Sequence, residues 1–177
     1  MNGNQRNISN SVQRLTEKDI KEYVIERFTE VKKSKKIKDL VSFQAMNKYM
    51  IMAHSQNELK IMGNIVANNK KIKLSEILEE YEKHLKIALD VEPTTRTHSN
   101  VILHIFGFFS KDFSHQEKET FFELLTNFKD EKISIGQILC EINPTIYRFN
   151  NTYLASQTYF LLYSNPEEGN LFKLLSK

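Results

Sequence analysis

Apolar residues recur along this chain at intervals of three and four, the spacing of one helical face, and nowhere alternate over a strand's length. In "LTEKDIKEYVIERFTEVKKS" the positions Ile20, Tyr23, Val24 and Phe28 share one face. Thr16 precedes them as an N-cap, and Asp19 is placed to meet the free amides of the first turn. A second helix is predicted from about Lys38 to His54 and a third from Gln56 to Asn68. A fourth opens at Ser75, with Leu78, Tyr81, Leu85 and Leu89 on its buried side. "EPTTRTH" breaks the chain before a very apolar helix over about 96–111. Ser114 with Glu117 and Ser134 with Gln137 are capping-box pairs. They open one helix to about Asn127 and another leading into Pro144, where a proline should end it. A last helix covers about Asn151 to Tyr163. The prediction is an all-α fold: a disordered polar N-terminus (1–14), then a single compact bundle of seven or eight helices over 15–177.

Composition agrees with that picture. Apolar residues make up 40% of the chain and charged residues 27%, enough to build a core and clothe it. Five glycines and three prolines leave few turn signals, which favours helices joined by short loops. The single Cys140 excludes an internal disulfide, a cysteine-based zinc site and a full iron–sulfur ligand set. Its neighbours Ile138, Leu139 and Ile142 mark it as a packed thiol rather than a nucleophile. The strongest apolar run, "VILHIFGFF", is too short to span a bilayer, and the polar N-terminus carries no secretion signal, so the expectation is cytoplasmic with no membrane partner.

The candidate chemistry lies on two helices. Along 96–111, Asn100, His104, Gly107 and Lys111 fall on one narrow stripe, with Arg96 a turn earlier on the same side. Val101, Ile102, Ile105, Phe106, Phe108 and Phe109 cover the rest, so a cationic stripe with a glycine in it crosses an otherwise buried helix. The stretch "KYMIMAHSQ" poses the same question, with Lys48 at one end of an apolar run and His54 at the other. Lys48, Arg96 and Lys111 would suit a phosphate or carboxylate, and His54 or His104 could carry a proton. No phosphate loop, zincin motif or nucleophile elbow accompanies them, and no metal or cofactor is called for. "KKSKK" and "NKKIK" could touch phosphate, but a net charge of +3 favours only weak, non-specific attraction to nucleic acid, with Tyr147, Tyr153 and Tyr159 as the aromatics available to stack.

Three ordered blocks, "KYMIMAHSQNELKIMGNIVAN", "THSNVILHIFGFFSKDFSHQEK" and "YLASQTYF", resemble the signature blocks of the YbgA family of bacterial proteins, over about residues 40–163. That family is a domain of unknown function. In many relatives it follows a cysteine-liganded iron–sulfur domain similar to 2-thiouracil desulfidases, and "VQRLTEKDIKEYVIERF" looks like the joint between the two. This chain lacks the desulfidase cysteines, so that activity does not transfer. The family's polar positions correspond here to Lys48, Ala53-His54-Ser55, Gly63, Arg96, His98, Asn100, His104, Gly107, Tyr153 and Gln157. Two passages depart from its pattern: Phe108 or Phe109 stands where a Tyr is usual, and "SIGQILCEINP" replaces a proline-rich stretch.

The resemblance and the residues together imply a domain that binds a small anionic or nucleobase-like ligand, accessory to thio-nucleobase metabolism and partnered by an iron–sulfur desulfidase-like protein. The ligand-binding candidates are Lys48, Arg96, His98, Asn100, Lys111, Tyr153 and Gln157. His54 and His104 are the acid–base candidates should the domain be an enzyme in its own right. Lys48, His54, Arg96 and His104 are expected to line one pocket.

Overall fold

Among residues 15–164, which the computed structural model describes, the chain forms nine helical segments and no strand. They are α1 (Glu17–Ser34), α2 (Ile37–His54), α3 (Gln56–Ala67), α4 (Leu74–Leu89), α5 (Thr95–Phe106), α6 (His115–Lys129), α7 (Ile135–Arg148), α8 (Thr152–Ala155) and α9 (Thr158–Tyr163). The fold is all-α as predicted, with seven full helices and two short ones. Residues 1–14, expected to be disordered, lie outside the described residues.

The helix starts are set by side chains. Ser114 and Ser134 each close the capping box anticipated for them, and the expected N-cap Thr16 closes one with Asp19 as well. A fourth box joins Thr94 to Thr97, which the sequence hides because its second partner is neither Glu nor Gln. The fourth helix begins at Leu74, one residue ahead of Ser75, with Lys73 at the N-cap position.

Burial explains why "KYMIMAHSQ" has no clean polar face. α2 packs against α1, α3, α4, α5 and α9, and every residue from Tyr49 to His54 is buried. With Tyr49 to His54 all enclosed, the C-terminal end of α2 has no wet stripe to mark it. At its N-terminal half, Phe43 meets Phe28 of α1 and Tyr81 of α4, with ring centroids 5.4–6.0 Å apart. A second aromatic cluster joins the end of α5 to α6 and the end of α7. There Phe106 stacks on Phe121 at 4.4 Å and Phe109 on Phe149 at 5.3 Å.

Three boundaries differ from expectation. α7 passes through Pro144 and continues to Arg148. The proline removes one hydrogen bond, but Ile142 and Ile146 on either side are both buried and hold the helix in register. α5 ends at Phe106, so Lys111 lies in the turns beyond it rather than on the helical stripe. The last predicted helix is two, parted at Gln157, whose backbone is extended. No helix among the described residues is long and apolar enough to cross a membrane.

Candidate functional site

α2 and α5 run antiparallel. His54 and His98 meet at one level, both against the Tyr163 ring, while Tyr49 and Phe108 meet at another, 6.5 Å between centroids. The sequence candidates are therefore divided between levels by the geometry of the helix pair.

The first level is buried. His54 Nδ1 lies 2.6 Å from the Val91 carbonyl oxygen, and its Nε2 is 3.1 Å from the Tyr163 hydroxyl. That hydroxyl is also 3.1–3.2 Å from both carboxylate oxygens of Glu17. His98 Nδ1 pairs with the Tyr159 hydroxyl at 2.6 Å. Burial holds His54 below the usual imidazole range, against the opposing pull of the Val91 carbonyl. Burial, helped by the nearby His54, brings His98 down to about 4. Glu17 is raised, chiefly by burial. Tyr159, expected among the aromatics available to nucleic acid, is fully buried and committed to His98, so it cannot stack on a base. Glu17 and Tyr163 are not among the site residues the sequence singles out, and Tyr159 is singled out only as an aromatic for nucleic acid. The only signal for them was the four-residue spacing of the two tyrosines, which puts both on one side of a helix.

The second level reaches the surface. Tyr49, Phe108 and Tyr153 form a trio with centroids 6.0–6.5 Å apart. Lys48 is exposed, with its Nζ 5.8 Å from the centre of the Tyr49 ring. Beneath them the Gln157 carboxamide is buried; it accepts from the Tyr49 amide at 3.3 Å and donates to the Ala45 carbonyl at 2.7 Å. Burial, and then the neighbouring Tyr153, pushes the Tyr49 phenol up to about 12. Gly107 does not open a path here: a Cβ on it would lie 3.2 Å from the His104 carbonyl oxygen of its own turn.

Arg96 and Asn100 face elsewhere. With Thr95, Ser99 and Leu103 of α5, and Lys129 from the last turn of α6, they line a depression of about 470 Å³. Asn100 Nδ2 also donates to Gln56 Oε1 at 3.3 Å, tying the rim to the start of α3. No carboxylate lines the depression, and among the described residues neither Arg96 nor Lys129 has an ion-pair partner. α5 itself has no acidic residue in its first turn. Lys48, His54, His104 and Lys111 are not among the lining residues; Lys48, His104 and Lys111 are exposed, and His54 is enclosed. Lys129 was not anticipated, because a lysine in the last turn of a helix reads as an ordinary match to the negative helix end. Among the described residues no three His, Cys, Asp or Glu side chains are grouped so as to hold a metal ion.

The chain is 23% identical over 125 residues to "Uncharacterized protein YbgA" of Escherichia coli (strain K12), covering 70% of this chain and 74% of that protein. No solved structure matches the chain. A family described as "Protein of unknown function (DUF1722)" matches residues 48–164, a span that begins at Lys48 and takes in both histidine–tyrosine pairs, the surface aromatics and the Arg96 depression. That match covers well over half of the chain, which therefore belongs to the DUF1722 family, the family of YbgA-like proteins.

Proposed function

We propose that this domain binds a small anionic ligand, one bearing a phosphate or carboxylate, in the depression between α5 and the end of α6. The observation that carries the reading is the company of Arg96 and Lys129: two cations in one wall, without an ion-pair partner among the described residues and with no carboxylate among the lining residues. Cations that stabilise a fold are normally met by acids, and cations left facing a common space favour an anion brought from outside. Asn100 and the hydroxyl of Thr95 offer further polar contacts, while Leu103 gives the body of a ligand an apolar wall; the Ser99 hydroxyl is committed to the Thr95 carbonyl at 2.7 Å. The volume is within the range of small-molecule sites. A nucleobase-bearing anion is the larger ligand that the site would be tested with.

The test is a titration of isotopically labelled protein with inorganic phosphate and with a nucleoside monophosphate, followed by amide chemical shifts. Shifts should concentrate at Thr95–Leu103 and Lys129. Arg96→Ala and Lys129→Ala should each weaken binding by roughly 10- to 100-fold, the worth of one charge-assisted hydrogen bond. Wild-type affinity in both variants, or shifts scattered over the surface lysines, would refute the site.

A further inference from the structure

The hydroxyl of Tyr163 stands between two groups that both need its single hydrogen. Glu17 Oε1 and Oε2 are 3.2 and 3.1 Å away on one side, and His54 Nε2 is 3.1 Å away on the other. The tautomer of His54 is fixed from behind. Its Nδ1 faces the Val91 carbonyl oxygen at 2.6 Å, and a carbonyl can only accept, so Nδ1 carries the hydrogen. In a neutral ring Nε2 is then a bare acceptor.

Counting hydrogens leaves two ways to satisfy the row. In one, Glu17 is a carboxylic acid that donates to the Tyr163 oxygen, and Tyr163 donates to a neutral His54. In the other, His54 is an imidazolium that donates to Tyr163, and Tyr163 donates to the Glu17 carboxylate. The two contain the same number of protons. They interconvert when the Glu17 proton passes to the Tyr163 oxygen as the Tyr163 proton passes to His54 Nε2. Removing that proton altogether leaves two acceptors competing for one hydroxyl hydrogen.

We propose that Glu17, Tyr163 and His54 form a proton-binding site, a relay that holds one shared proton between the half-exposed start of α1 and the buried end of α2. The carboxylate is the outer end, with a side chain 37% exposed, whereas the His54 side chain is 2% exposed. The direct Glu17 Oε2 to His54 Nε2 distance is 3.8 Å, so the hydroxyl is the shorter bridge. On deprotonation the buried imidazole keeps the Tyr163 hydrogen because it has no water to replace it. Glu17 then turns to solvent, and the tie between α1 and α9 opens.

The groups facing the row are few. Glu92 disfavours a charged Glu17, His98 lies against the Tyr163 ring at 5.0 Å, and Tyr159 is 5.3 Å from the same ring. No lysine or arginine pairs with Glu17 among the described residues. Burial raises Glu17 and lowers His54 from their ordinary values, so the two groups are brought toward each other in proton affinity. The shared proton is held at low pH and released as pH rises. The relay does not depend on the anion site.

The test is nuclear magnetic resonance of the full chain, with the carboxyl carbon of Glu17 and the ring nitrogens of His54 observed from pH 4 to 8. In the wild type both signals should move together, with one common midpoint. In Glu17→Gln the side-chain amide donates to Tyr163 as the acid would, so His54 should lose that midpoint while its Nδ1 signal stays in place. In Tyr163→Phe the bridge is gone, and the two groups should titrate separately. Independent midpoints in the wild type would overturn the relay, as would an unchanged His54 titration in Glu17→Gln. Glu17→Gln retains a partner for every buried atom, so the test stands even where Tyr163→Phe does not fold.

Discussion

Gln157 holds Tyr49 by its backbone, not its ring. The side-chain oxygen accepts from the Tyr49 amide while the side-chain nitrogen donates to the carbonyl of Ala45, bracketing two groups that an α-helix joins directly. Gln157 is 1% exposed, so no water stands ready to replace it. Its own backbone is extended, and that is what separates α8 from α9. Gln157→Ala should therefore destabilise the protein by about 1–3 kcal/mol, the cost of losing two core hydrogen bonds and of the space left by the side chain. Urea denaturation would measure this, and a change below about 0.5 kcal/mol would show that the clasp is dispensable. Gln157→Glu should be no better, since it removes the donor to Ala45 and adds a buried charge.

This clasp also shows what the sequence could and could not convey. Helix starts were readable at Thr16, Ser114 and Ser134 because a capping residue and its partner are three positions apart. The buried face of α4 was readable because that helix has one wet side. The split at Gln157 was not, because its cause is a contact with Ala45 and Tyr49, more than a hundred positions away. For the same reason Arg96 and Asn100 could be picked from their stripe, whereas Lys129 joins them only through the packing of α6 on α5. The Glu17–Tyr163–His54 row joins an early residue to a late one through a histidine between them. His54 was legible as an anomaly in an apolar helix; its partners were not.

His98 should make the protein sensitive to acid. Its folded pKa lies at about 4, below the ordinary 6.5, so the folded state binds fewer protons than the unfolded chain between those values. Stability from this group is complete above about 6.5 and is lost as pH falls toward 4, by up to about 3 kcal/mol. Glu17 works in the opposite direction, since its raised pKa favours the folded state at low pH. The Glu17 contribution is removed by measuring urea midpoints from pH 4 to 7.5 in the Glu17→Gln background, where the remaining dependence comes from His98 together with the lowered His54. His98→Gln, which keeps a partner for the Tyr159 hydroxyl, should flatten that slope; an unchanged slope would assign the acid sensitivity to another group.

Attraction to nucleic acid should be weak and lost at physiological salt. The net charge is +3, and part of the basic run at residues 32–36 is already occupied, with Lys32 2.9 Å from Glu82. Tyr159 is enclosed, leaving Tyr147 and Tyr153 as exposed tyrosines to meet a base. Few phosphates can be neutralised, so affinity should show a shallow dependence on salt. Fluorescence anisotropy with a labelled single strand at 50 and 150 mM salt would check it. Tight binding that survives the higher concentration would mean that the lysines form a dedicated nucleic-acid face.

Arg96 and His54 should separate cleanly into a binding residue and a folding residue. Arg96 is exposed and has no ion-pair partner among the described residues, so Arg96→Ala removes no attraction that the fold itself uses. Its cost in stability should stay within about 0.5 kcal/mol, as for other surface substitutions away from a cap or a network. His54 is enclosed and bonded at both ring nitrogens. His54→Ala would leave the Val91 carbonyl short of a partner and open a cavity in the core, for a loss of at least about 2–3 kcal/mol. Thermal melts of the two variants without ligand provide the contrast. Phosphate at saturating concentration should then raise the melting temperature of the wild type and leave that of Arg96→Ala almost unmoved, because only a ligand that binds the folded state stabilises it. A large loss of stability in Arg96→Ala without ligand would make that guanidinium part of the fold and remove it from the anion site.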